Sequence, residues 1–181
     1  MTHPDARALF ILLAARRLSQ QSLYMWGGES HEEGGFDCSG TVSELCTELN
    51  RSFPGFYTGG RTTAAGIRNW YLAKGCDELI FGAGGLPGGT PPGSLVFFRL
   101  SGRSPHHVKV HLCTVPDTQL GAVKLPVGPI AMDSGGGGSQ TTSPREALRS
   151  AAGIRLSASD QHGSAMGLVL DPFKLLDDLD P

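Results

Sequence analysis

Residues 24–40, YMWGGESHEEGGFDCSG, set a cysteine between Asp37 and Ser39 immediately ahead of an amphipathic helical pattern. Apolar residues follow at Val42, Leu45, Cys46 and Leu49, the three-and-four spacing of one helical face. Cys38 lies one turn earlier on that stripe, and Asp37 is a natural N-cap. The first turn of a helix offers backbone N–H groups without intrahelical partners and the positive end of the helix dipole. Both stabilise negative charge on a sulfur atom. Cys38 therefore reads as a nucleophile rather than as a small buried apolar residue.

Working outward, the 181 residues suffice for one well-buried core and are few for two, so a single domain over residues 1–181 is expected. Fifteen Lys and Arg against 17 Asp and Glu give a formal charge of -2, which supplies no broad positive field for nucleic acid or an anionic membrane. A polymeric substrate would have to be gripped locally. The cysteines at 38, 46, 76 and 113 form no Cys-x-x-Cys pair and no regular framework, which argues for free thiols over a zinc knuckle or a disulfide scaffold. The apolar run Ala8 to Ala15 follows Asp5 and precedes Arg16 and Arg17, flanks unsuited to an export signal, and it is too short to span a bilayer. It reads as a core helix, and the chain as one made in a cytoplasm without a classical signal.

The coarse organisation is helices first and strands later. A helix over about residues 5–20 leads to the Tyr24 loop, and the Cys38 helix must end before Pro54. A third helix has Thr62 or Thr63 as its cap, Ile67, Trp70 and Tyr71 on its faces, and Gly75 as its stop. The Gly- and Pro-rich stretch from Gly82 to Gly93 reads as an exposed loop. Short extended runs then appear at 94–98, 107–112 and 129–133, in the second of which His107, Lys109 and His111 share one face and Val108, Val110 and Leu112 the other. The four glycines at 135–138 read as a mobile or ligand-approaching loop. Ser143, Pro144 and Glu146 open another helix with a capping box. A strand over Met166 to Leu170 and a short acidic terminal helix complete the chain. The pattern is that of an α+β domain, N-terminal helices packed on a central antiparallel sheet.

A cysteine nucleophile needs a base, and the base needs a polar partner to fix its ring and tautomer. His107 opens the central strand and is preferred to His106, which strand alternation puts on the opposite face. Asp133 ends the next strand and is placed to orient an imidazole. His3, His31 and His162 have no supporting context and read as exposed loop histidines.

Four ordered blocks carry a resemblance: Tyr24-x-Trp26-Gly27-Gly28, Gly35-x-Asp37-Cys38-Ser39-Gly40, Pro92-Gly93-x-Leu95-Val96-Phe97-Phe98, and His107-Val108-x-Val110. Over roughly residues 10–140 the chain resembles NlpC-type papain-like cell-wall cysteine peptidases. The resemblance implies a papain-like fold, a Cys38 nucleophile, a His107 base and a polar third residue, here Asp133. It further implies that Tyr24, Asp37 and Ser39 serve the oxyanion or the free amine of a short peptide stem. Trp26 reads first as packing support for the Tyr24 loop and second as a substrate platform. The implied reaction is hydrolysis of an amide in bacterial peptidoglycan stem peptides, usually the bond from the D-glutamate side chain to the diamino acid, with no metal and no cofactor.

Departures from the family pattern keep other readings open. Lys109 stands where such enzymes carry a small residue, His111 replaces an aromatic, and the connection between the His107 and Asp133 strands is long. The delivery readings are a phage lysin, a phage tail component or an effector injected by a secretion machine. The competing classes are an inactive wall-binding module, in which Lys109 spoils the base, and a papain-like acyltransferase or deamidase. A structural zinc protein ranks last, because its ligand spacings would be irregular.

Overall fold

The computed structural model describes residues 3–82, 85–116 and 128–177. Helix α1 spans His3–Ser19, and a two-stranded hairpin follows, β1 (Glu29–Ser30) and β2 (Gly35–Phe36). Helix α2 (Cys38–Asn50) begins where expected, because Asp37 takes an extended backbone and its side chain accepts from the Gly40 amide. Helix α3 (Ala64–Ala73) is capped in the same way by Thr63. The remaining elements are β3 (Glu78–Phe81), β4 (Leu95–Arg99), β5 (His107–Val115), β6 (Gly128–Gly135), α4 (Pro144–Arg149), β7 (Gly153–Ala158), β8 (Met166–Leu170) and α5 (Lys174–Asp177).

Six strands form one sheet in the order β3-β8-β4-β5-β6-β7, every pairing antiparallel. The fold is therefore α+β, although α4 and α5 are interleaved with late strands. Three features went unread in the sequence: the β1–β2 hairpin, β3 and β7. The hairpin has two residues per strand, too few to show a period. Strand β7 does alternate, Ile154 inward and Leu156 outward, but its apolar pair is too sparse to stand out beside the helix before it. The link between β5 and β6 over 117–127 lies outside the described residues, as does the end of the acidic tail.

The main core lies between the helices and one face of the sheet. Phe10 of α1, Leu45 and Leu49 of α2, Ile67 and Tyr71 of α3 meet Leu95, Phe97, Val108, Val110 and Met132 of the central strands. Each such side chain contributes about 1.5–3 kcal/mol by leaving water. The opposite face carries a smaller cluster of Phe81, Val96, Phe98 and Val169, with Leu86 and Ala165 against it. Alternation along β5 thus sends Val108 and Val110 to the helices and His107 and Lys109 to the other side.

The Tyr24 loop is fastened to this frame by backbone bonds. Met25 donates to Phe36, Phe36 to Leu23 and Asp37 to Gly28, at 3.3, 3.0 and 2.9 Å. Ser134 of β6 donates through its hydroxyl to the Phe36 carbonyl at 2.7 Å, joining the end of β6 to the segment that feeds α2. Gly40 lets the loop come this close, since a Cβ there would overlap the carbonyl oxygen of Gly28. Backbone cannot yield as a flexible side chain does, so Gly40→Ala is expected to destabilise the protein by about 2–3 kcal/mol, measured by urea unfolding. An unchanged midpoint would show that the loop is free to move off α2.

Candidate active site

The first residue of α2 and the first residue of β5 meet at one end of the sheet. There the Cys38 thiol and the His107 imidazole line the same cleft, close enough for Cys38 to act on the charge of the ring. Nε2 of His107 lies 2.7 Å from Asp133 Oδ1. The antiparallel register sets this up, because Val110 is paired with Met132, which brings the end of β6 alongside the start of β5. All three residues are buried, at 9%, 7% and 4% exposure. His106, the competing base, is exposed.

The surroundings settle the charge on the ring. Burial alone would lower the pKa of His107, but the hydrogen bond to Asp133, then the neighbouring Cys38 and the charges of both, outweigh it and raise it to about 9. Burial likewise opposes ionisation of Asp133, yet His107, Lys109 and Ser157 hold its carboxyl well below the usual carboxylate range. The pair is thus an imidazolium on a carboxylate, with the Cys38 sulfur beside it.

Lys109 does not enter the cleft that Cys38 and His107 line. Its ammonium is buried, donates to Ser157 Oγ, Ala158 O and Gln161 O at 3.0, 3.0 and 2.8 Å, and stands 3.4 Å from Asp133 Oδ2. Ser157 also donates to that oxygen, at 3.1 Å. His111 is buried further along β5, its Nδ1 2.8 Å from Ser159 Oγ.

Of the expected substrate-side residues, Tyr24 is brought to the pair. Burial, then the charges of Cys38, Asp37 and Asp133, push its pKa up, so its hydroxyl remains a proton donor. Its ring lies under the glycine loop after β6, where a Cβ on Gly137 would overlap it. Asp37 and Ser39 also line the cleft beside Cys38, and both are engaged by donors of the chain itself. The Asp37 carboxylate already accepts from Gly40 N at 2.6 Å, Ser39 Oγ at 3.0 Å, Gly27 N at 3.1 Å and Arg61 Nη2 at 2.7 Å. Arg61 also donates to Ser39 Oγ at 2.8 Å, and its Nε is 3.4 Å from Glu29. These four donors use the acceptor positions of one carboxylate, so Asp37 is the knot that ties the cap, the loop and Arg61 together. Trp26 is corrected in the other direction, for at 56% exposure it packs little and lines the cleft.

Arg61 and His162 are the residues that sequence reasoning missed. Arg61 precedes the Thr62–Thr63 cap, so its place beside Asp37 was readable only from the loop path. His162, taken for an exposed loop residue, is half-buried and stacks on His107 with ring centroids 4.0 Å apart and planes inclined by 8°. His31 is exposed, with Phe36 edge-on to its ring.

The resulting cleft, of about 890 Å³, is lined by Tyr24, Trp26 and Arg61 together with His106, His107 and His162. The glycines 135–138 form part of its wall. Among the described residues no group of three or more His, Cys, Asp or Glu is arranged to hold a metal ion, and no helix is long and apolar enough to cross a membrane. No known family model matches the chain, and no curated protein matches it.

Two measurements check this electrostatic arrangement. The His107 imidazole should titrate by NMR at about 9, so the stability it contributes is complete below its ordinary 6.5 and is lost as pH rises through about 9. Asp133→Asn should lower that midpoint by at least about one unit, a tenfold change in acid strength; an unmoved midpoint would refute the pairing. Lys109→Met, which leaves Asp133 and two carbonyls short of a donor, should cost about 3 kcal/mol in urea unfolding.

Proposed function

We propose that this protein is a cysteine peptidase of the NlpC-type papain-like group, hydrolysing amide bonds in bacterial peptidoglycan stem peptides. The observation that carries the reading is the buried chain from Cys38 through His107 to Asp133, opening into a cleft that also holds Tyr24. A nucleophile, a base and an orienting carboxylate joined by hydrogen bonds are what acyl transfer requires. The ordered sequence blocks around Tyr24, Cys38, Phe97 and His107 supply the choice of substrate.

In this reading the pair reacts as thiolate and imidazolium, the sulfur's proton already held by His107, and the thiolate attacks the carbonyl carbon. The negative charge that develops on oxygen is met by the start of α2 and the Tyr24 hydroxyl. His107 then protonates the departing amine, leaving a thioester on Cys38. Water, deprotonated by the same imidazole, attacks the thioester and releases the acid. Asp133 keeps Nε2 engaged throughout, so the other nitrogen stays aimed at sulfur. The favoured bond is that between the D-glutamate side chain and the diamino acid. With Asp37 occupied by this chain's own donors, a free amine on the stem would have to be met elsewhere in the cleft, and Trp26 offers an apolar platform.

The inactive-module alternative rested on Lys109 disturbing the base, and the direction of its ammonium, toward Asp133 and the β7–β8 connection, favours catalysis. The acyltransferase or deamidase reading shares the thioester and differs in what resolves it. Mass analysis of soluble fragments from defined peptidoglycan separates these cases. Stem-peptide fragments are expected, and none with Cys38→Ala. Tyr24→Phe is expected to lower kcat about a hundredfold with a smaller change in KM. Intact peptidoglycan after prolonged exposure to the unaltered protein would overturn the substrate assignment, and a trapped acyl group on Cys38 without hydrolysis would favour transfer. Iodoacetamide near neutral pH should label Cys38 ahead of Cys46 and Cys76, whose burial pushes their thiols up to about 12 and about 11.

A further inference from the structure

The connection between β7 and β8 places a second imidazole directly on the first. We infer that His162 is a positioning residue for the reacting pair, a flat plate that fixes the plane of His107 and keeps its bond to Asp133 dry. This rests on the reading of Cys38 and His107 as the reacting groups.

Three observations carry it. The rings are parallel and in contact, 4.0 Å and 8° apart, which covers one face of the imidazole that must stay aligned between sulfur and carboxylate. Phe98 flanks both rings, 5.3 Å from His162 and 6.4 Å from His107, so His162 is backed by the small apolar cluster of the sheet. The turn that presents His162 is not left to itself. Lys109 Nζ donates to the carbonyls of Ala158 and Gln161, Ala165 N donates to His162 O at 3.2 Å, and Gly163 takes the positive φ of +57° that closes the turn. A buried cation on β5 thus ties down the segment that covers the base on the same strand.

The charges facing His162 suit an uncharged plate. His107 and Lys109 present positive charge, Asp133 negative charge, and His106 stands with its ring centroid 5.5 Å away. Asp160, two residues before, and Arg155 of β7 act on the Lys109 that holds the turn. Burial, then the cations His107 and Lys109, lower the pKa of His162 to about 4. Near neutral pH it therefore lies on an imidazolium without adding a second charge, and its π-face favours the cation beneath it. Excluding water from the His107–Asp133 bond strengthens that bond, because screening falls with the local dielectric.

Opening this face to water would weaken both the burial that lowers the His107 pKa and the pairing that raises it. The value would then return toward that of an ordinary imidazole. The test is an NMR titration of the histidine rings, with His107 assigned by its disappearance in His107→Gln. His162→Ala should lower the His107 midpoint by about one unit, tenfold in acid strength, while His162→Phe, which keeps a flat ring, should hold it within a few tenths. If the alanine variant fails to fold, His162→Leu against His162→Phe makes the same comparison at similar volume. An unmoved midpoint in folded His162→Ala or His162→Leu, or an equal fall in His162→Phe, would overturn the inference. Peptidoglycan digestion provides the separate arm. If the unaltered protein leaves peptidoglycan intact while the midpoints move as stated, the substrate reading fails and the role of His162 stands. If it digests peptidoglycan and the alkaline limb of His162→Ala is unmoved, the role of His162 fails alone.

Discussion

A single buried carboxylate organises this end of the molecule. Asp133 receives His107 on one oxygen and Ser157 on the other, with the Lys109 ammonium close by. An isolated carboxylate at this depth would be neutralised or expelled. Two cations and a hydroxyl make its charge sustainable, and in return the carboxylate determines where each of them points. His107 is turned toward sulfur, and Lys109 is drawn away from the cleft to the β7–β8 connection. The geometry of the thiol and imidazole is thus a consequence of how one negative charge is satisfied.

A second carboxylate performs a comparable task nearer the surface. Asp37 gathers two backbone amides, the Ser39 hydroxyl and the Arg61 guanidinium. Through it the start of α2, the Tyr24 loop and the approach to α3 are held in one arrangement. The residue that caps α2 thereby also fixes one wall of the cleft. The two acidic groups divide the work, one fixing the His107 imidazole and the other the surroundings of Cys38.

Much of this was legible in the residues. The α2 stripe, its Asp37 cap, the central strands and the face of β5 that carries His107 follow from periods of 3.6 and 2 and from capping chemistry. These are local signals, and they placed Cys38, His107 and Asp133 on strongly patterned elements, whereas their grouping into one site was implied only by the resemblance. Asp37 was readable as a cap, but not its fourth donor, Arg61, which arrives from 24 residues along the chain. His162 and the destination of Lys109 were hidden for the same reason: turn residues carry no period, and their role depends on what the turn lies against. Trp26 shows the limit of composition, for a large aromatic beside glycines was taken for packing and stands open to the cleft.

The antiparallel pairing of β5 with β6 has an evolutionary corollary. Val115 lies opposite Gly128 at one end of this ladder, whereas His107 and Asp133 meet at the other. The strand ends at Val115 and Gly128 therefore lie at the pole remote from Cys38 and His107, and the entropy of closing a loop between them grows only slowly as residues are added. Insertions between these strand ends would be tolerated by the pole that holds Cys38, His107 and Asp133, leaving that stretch of sequence free to diversify among descendants.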